Sequence, residues 1–252
     1  MEKGRPSTTA RWVAAQRGGF ERPRAPFGDP DADERLGLDV AGGLRPSPDA
    51  PLYRYLMART AFFDRVVLGA LERDVRQVVV AGAGYDGRSS RYAKPGVRWF
   101  EVDHPDTQRD KRARLARLGV VTDHVTFVPA DFTTDDVAAG LAEVRRDRPT
   151  LVLCEGVAVY LDLPVLRSLL HALRTAVGPG SRLAISLSVD RGPTPTRTRF
   201  REAVAAVGEP ARTSLTAPEA TDLLATTGWR LLPPTHPRAH RVGLAIAEAD
   251  SR

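Results

Sequence analysis

Gln77 to Ala81 is an apolar run that leads into Gly82, Ala83, Gly84, Tyr85, Asp86 and Gly87. The GxGxxG spacing lets a backbone turn tightly and approach a ligand closely, and Asp103, closing the next apolar run, suits an acid that accepts from ribose hydroxyls. The pattern fits either a nicotinamide dinucleotide or another adenosyl cofactor. Asp86 helps to separate them. A pyrophosphate is anionic and is normally met by the amides and positive dipole of a helix N-terminus, so a carboxylate in that loop repels it unless turned away. S-Adenosylmethionine (SAM) carries no phosphate, and its sulfonium and ammonium groups tolerate nearby acid. None of the five tyrosines is followed by lysine at the YxxxK spacing of hydride chemistry. These features favour SAM over NAD.

Arg59 lies three residues from Leu56 and four from Phe63, on the apolar stripe of a helix rather than its wet face. Arginine is rarely buried unpaired, so it needs an anion. Either it forms a structural salt bridge, to Asp64 or Glu155, or it snorkels at the edge of the stripe, or it clamps the carboxylate of SAM. Glu155 follows the apolar run Thr150 to Cys154 and is either an acid favoured by a helix dipole or a receptor for a methionine ammonium. Asp131 in VPADF has the same two readings, and Phe132 is either a core side chain or a face for a purine. His236 and His240 stand in PPTHPRAHR, either solvated or brought to the ligand edge by a terminal hairpin.

The elements that must position these residues follow from periodicity. From Leu52 to Leu71 apolar residues recur at helical spacing. Strands are expected at Gln77 to Ala81, Arg98 to Val102, Thr126 to Pro129, Thr150 to Cys154 and Arg182 to Ser188. Several are unbroken apolar runs, as expected of strands covered on both faces. Helices are expected near Arg88 to Ala93, Thr107 to Leu118, Thr134 to Arg146 and Leu163 to Val177, which gives the alternation of a parallel sheet. A capped helix from Thr216 and a hairpin, Trp229 to Leu232 with Arg241 to Ala247, complete the chain. Residues 1 to 50 read as a partly irregular lead-in with at most one short helix around Thr9 to Arg17. This defines an N-terminal extension contributing to a cap (1–50) and one domain (51–252), with residues 190 to 215 as the second part of the cap.

The chain has 252 residues, 42% hydrophobic and 27% charged, which is globular. No window approaches the run of about 18 apolar residues that a membrane helix needs, so no membrane association is expected. The basic first 24 residues lack the apolar stretch and cleavage site of a secretory signal, and a cytoplasmic protein is expected. The single cysteine, Cys154, excludes an intramolecular disulfide and a multi-cysteine zinc site. A net charge of +6 raises the question of nucleic acid, but the arginines are dispersed and the densest run, Arg109 to Arg117, alternates with apolar residues.

RTAFFD, QVVVAGAGYDGR, WFEVDHPDTQRDKR, VTFVPADF and PTLVLCEGVAVYL, in this order, resemble the leucine carboxyl methyltransferase family and its actinobacterial and secondary-metabolite relatives. The resemblance covers roughly residues 8 to 190. It implies a class I methyltransferase: a Rossmann-like, seven-stranded, mostly parallel α/β sheet with helices on both faces and an N-terminal helical cap. By similarity Arg59 binds the SAM carboxylate, Gly82, Ala83 and Gly84 admit the methionine part, Asp103 takes the ribose, Asp131 and Phe132 hold the adenine, and Glu155 faces the amino acid end. Tyr160 and His236 are candidates for the acceptor. The implied reaction is methyl transfer from SAM to an oxygen, carboxylate or hydroxyl, of a small molecule or peptide, in secondary metabolism and not on nucleic acid. A nicotinamide oxidoreductase and a noncatalytic SAM-binding module are the alternatives. The family's GAGxDTR is altered, because Gly87 replaces the threonine while Arg88 is kept.

Overall fold

The apolar runs form strands β1 (Gln77–Ala81), β2 (Arg98–Asp103), β3 (Val125–Pro129), β4 (Leu151–Cys154), β5 (Arg182–Ser186), β6 (Trp229–Leu231) and β7 (Leu244–Ala249) in a computed structural model that describes residues 4, 6–44, 46, 52–190, 192, 195–233 and 243–250. The sheet order is β3-β2-β1-β4-β5-β7-β6. Strands β1 to β5 pair in parallel, and β7 runs antiparallel to both β5 and β6. This is the seven-stranded, mostly parallel sheet expected.

The helices are α1 (Thr8–Arg17), α2 (Pro30–Ala41), α3 (Tyr53–Glu72), α4 (Arg88–Arg91), α5 (Pro105–Arg117), α6 (Val137–Gly140), α7 (Leu163–Ala176), α8 (Pro195–Ala206) and α9 (Ala217–Thr226). All five residues of β1 are buried because both faces of the sheet are covered. Val78 and Val80 pack with Phe63, Val67 and Leu71 of α3, whereas Val79 and Ala81 pack with Leu166, Leu170 and Leu173 of α7. Full burial of each such aliphatic side chain contributes about 1.5–3 kcal/mol. The chain leaves β1 toward β2 and β3, then returns to β4 on the other side of β1. Strands β1 and β4 therefore flank the switch point, outside whose carboxyl ends ligands bind in such sheets.

Two helices contradict the irregular reading of their segments. In α2, Asp29 accepts the Ala32 N–H at 2.9 Å, Pro30 takes the first turn, and Gly42 ends the helix in the left-handed region. Asp29, Pro30 and Gly42 are thus helix ends rather than loop. Helix α8 occupies the proline- and arginine-rich stretch for which no element was expected. Conversely, the helix expected over Thr134 to Arg146 shrinks to α6. A Cβ at Gly140 would stand 2.7 Å from Val128, and the Gln77 side chain satisfies both backbone groups of Arg145 (2.8 and 2.9 Å), so helical hydrogen bonds are replaced there. None of the helices among the described residues is long and apolar enough to cross a membrane.

Candidate active site

The turn after β1 is built by hydrogen bonds to β2. Gly82 and Ala83 N–H both donate to the Val102 carbonyl (2.8 and 3.1 Å). Gly82 has φ +69°, and a Cβ there would lie 2.1 Å from Val157 Cγ2, so only glycine fits. Gly84 N–H donates to Asp103 Oδ2, and His104 N–H donates to Asp103 Oδ1 at 2.6 Å. Burial pushes the Asp103 carboxyl above the usual range, although both amide donors oppose the shift.

These strand ends open onto a cavity of about 510 Å³. Gly82, Ala83 and Gly84 line one side with Asp103; Asp131 and Phe132, following β3, line the next; Arg59, Glu155 and Tyr160 line the far end. All eight candidate cofactor residues therefore share one cavity. Asp131 Oδ1 accepts from the N–H and the hydroxyl of Thr133 (2.9 and 2.7 Å), and Oδ2 lies 3.9 Å from His104 Nε2. His236 and His240 lie outside the described residues.

Glu155 is the centre of a buried ion network. Its Oε1 lies 2.9 Å from Arg59 Nε and 3.0 Å from Arg17, and its Oε2 lies 2.6 Å from Arg88 Nη1. Arg88, fully buried, also reaches Asp64 (2.7 Å) and Asp86 (2.5 Å), and Arg22 closes the circuit through Asp64 (2.8 Å). Burial alone would raise the Glu155 pKa, but Arg88, Arg17 and Arg59 hold the carboxyl well below its ordinary value. The structural salt bridge considered for Arg59 is thus present, to Glu155, while no hydrogen bond ties its Nη atoms to the described residues. Glu155 lines the cavity already paired with three arginines.

Asp86 is a correction to the argument from charge. It accepts from Arg88 N–H (2.9 Å) and Arg88 Nη1, is buried, and does not line the cavity. Its charge is turned into the network, so it does not decide between cofactors. Arg17 was not anticipated, although the sequence carries the signal: it continues the stripe Ala10, Val13, Ala14 at helical spacing.

A second cavity, about 690 Å³, adjoins the first. Thr9, Val13, Arg59, Gly156 and Tyr160 line both. Its remaining wall is mainly apolar, including Trp12 of α1, Leu56 of α3, Leu187 after β5, and Phe200 and Val204 of α8. Among the described residues that line it there is no carboxylate and no imidazole; the charged ones are Arg59, Arg199 and Arg201. Burial pushes the Tyr160 phenol up, so it stays protonated. No cluster among the described residues fits a metal ion.

The sheet order, the glycine turn and the strand-end acids define a class I methyltransferase-like fold. Crystal structures of a Thermobifida fusca protein described as a methyltransferase (TM-score 0.63, 19% identity, 99% of this chain and 97% of that one) and a DUF574 family protein from Streptomyces avermitilis (TM-score 0.64, 18% identity, 97% and 98%) share the fold. The leucine carboxyl methyltransferase family model matches residues 26–174, and this chain belongs to that family. It is 37% identical over 195 residues to a Parafrankia sp. protein described as an S-adenosyl-L-methionine-dependent methyltransferase, covering 72% of this chain and 62% of that protein. A Mycobacterium sp. (strain JLS) protein of the same description is 34% identical over 223 residues, covering 79% and 72%. The cofactor of these relatives is therefore SAM, and the nicotinamide reading loses its basis.

Proposed function

We propose that this chain transfers a methyl group from SAM to an oxygen of a small molecule or peptide end, and that this oxygen belongs to a carboxylate. The observation that carries the proposal is the junction of two cavities: a polar one lined by the glycine turn and strand-end acids, and an apolar one without a base among its described lining residues. In the polar cavity Asp103 would accept from the ribose hydroxyls, Asp131 and Phe132 would hold the adenine, and the Nη atoms of Arg59, which hydrogen-bond to none of the described residues, would receive the methionine carboxylate. Glu155 acts on the cofactor chiefly through the arginines it fixes. Bound there, SAM would supply an electrophilic methyl on its sulfonium, and attack by an oxygen on that carbon would break the carbon–sulfur bond and release S-adenosylhomocysteine.

The work left to the residues is alignment, an effect worth about 7–11 kcal/mol where the reacting groups are well held. Gly156 lines both cavities, and a Cβ there would press on the Arg59 guanidinium at 3.1 Å. A carboxylate is ionised at neutral pH and needs no base, whereas an alcohol would need one. Cationic Arg199 and Arg201 in the wall and the protonated phenol of Tyr160 favour an anion over a neutral alcohol. Enclosure beneath α1 and α8 favours a small acceptor over nucleic acid or a membrane lipid. The test is transfer of labelled methyl from SAM to a panel of apolar carboxylic acids and matched alcohols. Base-labile esters from the acids are expected; transfer only to bulk RNA or DNA would overturn the proposal.

A further inference from the structure

Helix α1 is one of the walls common to both cavities, through Thr9 and Val13, and it is fixed at two ends by residues far away in sequence. At its C-terminus Arg17 pairs with Glu155. At its N-terminus the carboxylate of Glu209 accepts from Thr8 N–H (2.8 Å), Thr9 N–H (3.3 Å), the Ser7 hydroxyl (3.0 Å) and the Thr9 hydroxyl. Free amides in a first helical turn, and the positive end of the helix dipole, both favour an anion at this point.

The aim of Glu209 is set by the end of α8. Gly208, with φ +76°, donates to the Ala205 carbonyl (3.0 Å), and Glu209 N–H donates to the Val204 carbonyl (2.9 Å). This is a Schellman ending, which turns the chain sharply after the helix. Beyond it, Arg212 N–H donates to the Val159 carbonyl (2.8 Å) and Arg212 pairs with Asp162 (2.9 Å), anchoring the segment beside Tyr160. Gly208 and Glu209 line the polar cavity, and Val204 and Val207 line the apolar one.

We infer that Glu209 is a positioning residue: it latches α1 across the mouth of both cavities, so that cofactor exchange requires the latch to open. The inference rests on the SAM reading of the polar cavity. Because one helix closes both spaces, filling one stabilises the closed form of the other, and the coupling is reciprocal.

The test compares Glu209→Ala and Glu209→Gln with the wild-type protein by hydrogen exchange of α1, stopped-flow release of S-adenosylhomocysteine, and melting of the ligand-free protein. In Glu209→Ala the α1 amides should exchange, and the ligand should leave, roughly tenfold faster, as expected for losing charge-assisted bonds at a helix start. The melting temperature should fall by only a few degrees, since the sheet is untouched. Glu209→Gln, which keeps one acceptor oxygen, should fall between and serves if the alanine variant does not fold. Unchanged α1 exchange or unchanged release in a folded variant would overturn the latch. Absence of S-adenosylhomocysteine binding by the wild-type protein would instead overturn the reading on which the latch rests.

Discussion

Replacing Glu155 by leucine removes the anion shared by three buried arginines while keeping an apolar side chain of similar size. Arg88 keeps Asp64 at 2.7 Å and Asp86 at 2.5 Å, so it stays paired. Among the described residues Arg17 keeps just Asp86, at 4.0 Å, and Arg59 keeps no carboxylate partner. Breaking a buried pair by removing one partner costs about 3–5 kcal/mol. The Arg17 and Arg59 side chains are 13% and 10% exposed, and both border the cavity, where water can reach them. The lower end, about 3 kcal/mol, is therefore expected. At about 2–4 °C per kcal/mol for a domain of this size, the ligand-free protein should melt about 6–12 °C lower. Arg59→Met is the control. It leaves Glu155 with Arg88 (2.6 Å) and Arg17 (3.0 Å), so it should cost only about 1 kcal/mol while losing the carboxylate clamp. Circular dichroism melts without ligand, with calorimetric titration of S-adenosylhomocysteine, measure both orders. Equal melting of Glu155→Leu and wild type, or a lower melting temperature for Arg59→Met than for Glu155→Leu, would refute the role of Glu155 as the common anion.

Asp103→Asn should weaken S-adenosylhomocysteine by about 10–100-fold in calorimetry, because an acceptor-only carboxylate is replaced by an amide that offers one acceptor oxygen. Unchanged affinity in the folded variant would remove the ribose assignment. Burial opposes ionisation of Asp64, but Arg88 and Arg22 overcome it and lower its pKa from 3.8 to about 2. A carboxylate depressed in the folded state stabilises fully above its unfolded pKa and loses that contribution as pH falls through the folded one. Thermal melts should therefore be insensitive to Asp64 above about pH 5 and should fall between about pH 4 and 2; Asp64→Asn should reduce that acid dependence. With a carboxylic acid acceptor, kcat should be flat between about pH 6 and 9, whereas a bell-shaped profile would point to a general base.

Strands β1 to β5 were legible because a short, mainly apolar run between turn signals, unbroken in β4, has few other ways to be buried; β1 coincides with its expected bounds and the others shift by one or two residues. Helices α2 and α8 were not, because each opens on proline and presents a thin apolar stripe among polar residues. The cofactor cavity was legible for a topological reason: residues that follow parallel strands must gather at one edge of the sheet, whatever their separation in sequence. Orientation was not. The acid in the glycine turn could be identified by type, but that Asp86 points into Arg88 depends on Asp64 and Glu155 completing the circuit. Arg17 and Glu209 meet partners more than 100 residues away, and no local period encodes such pairings.

The most direct test of a SAM site opening onto an acceptor cavity is a crystal structure with S-adenosylhomocysteine. The ligand should place its carboxylate on the Nη atoms of Arg59, its ribose hydroxyls on Asp103 and its adenine by Phe132, with the sulfur facing the apolar cavity past Gly156. A ligand bound elsewhere, or one whose sulfur faces away from the space between Tyr160 and α8, would contradict it.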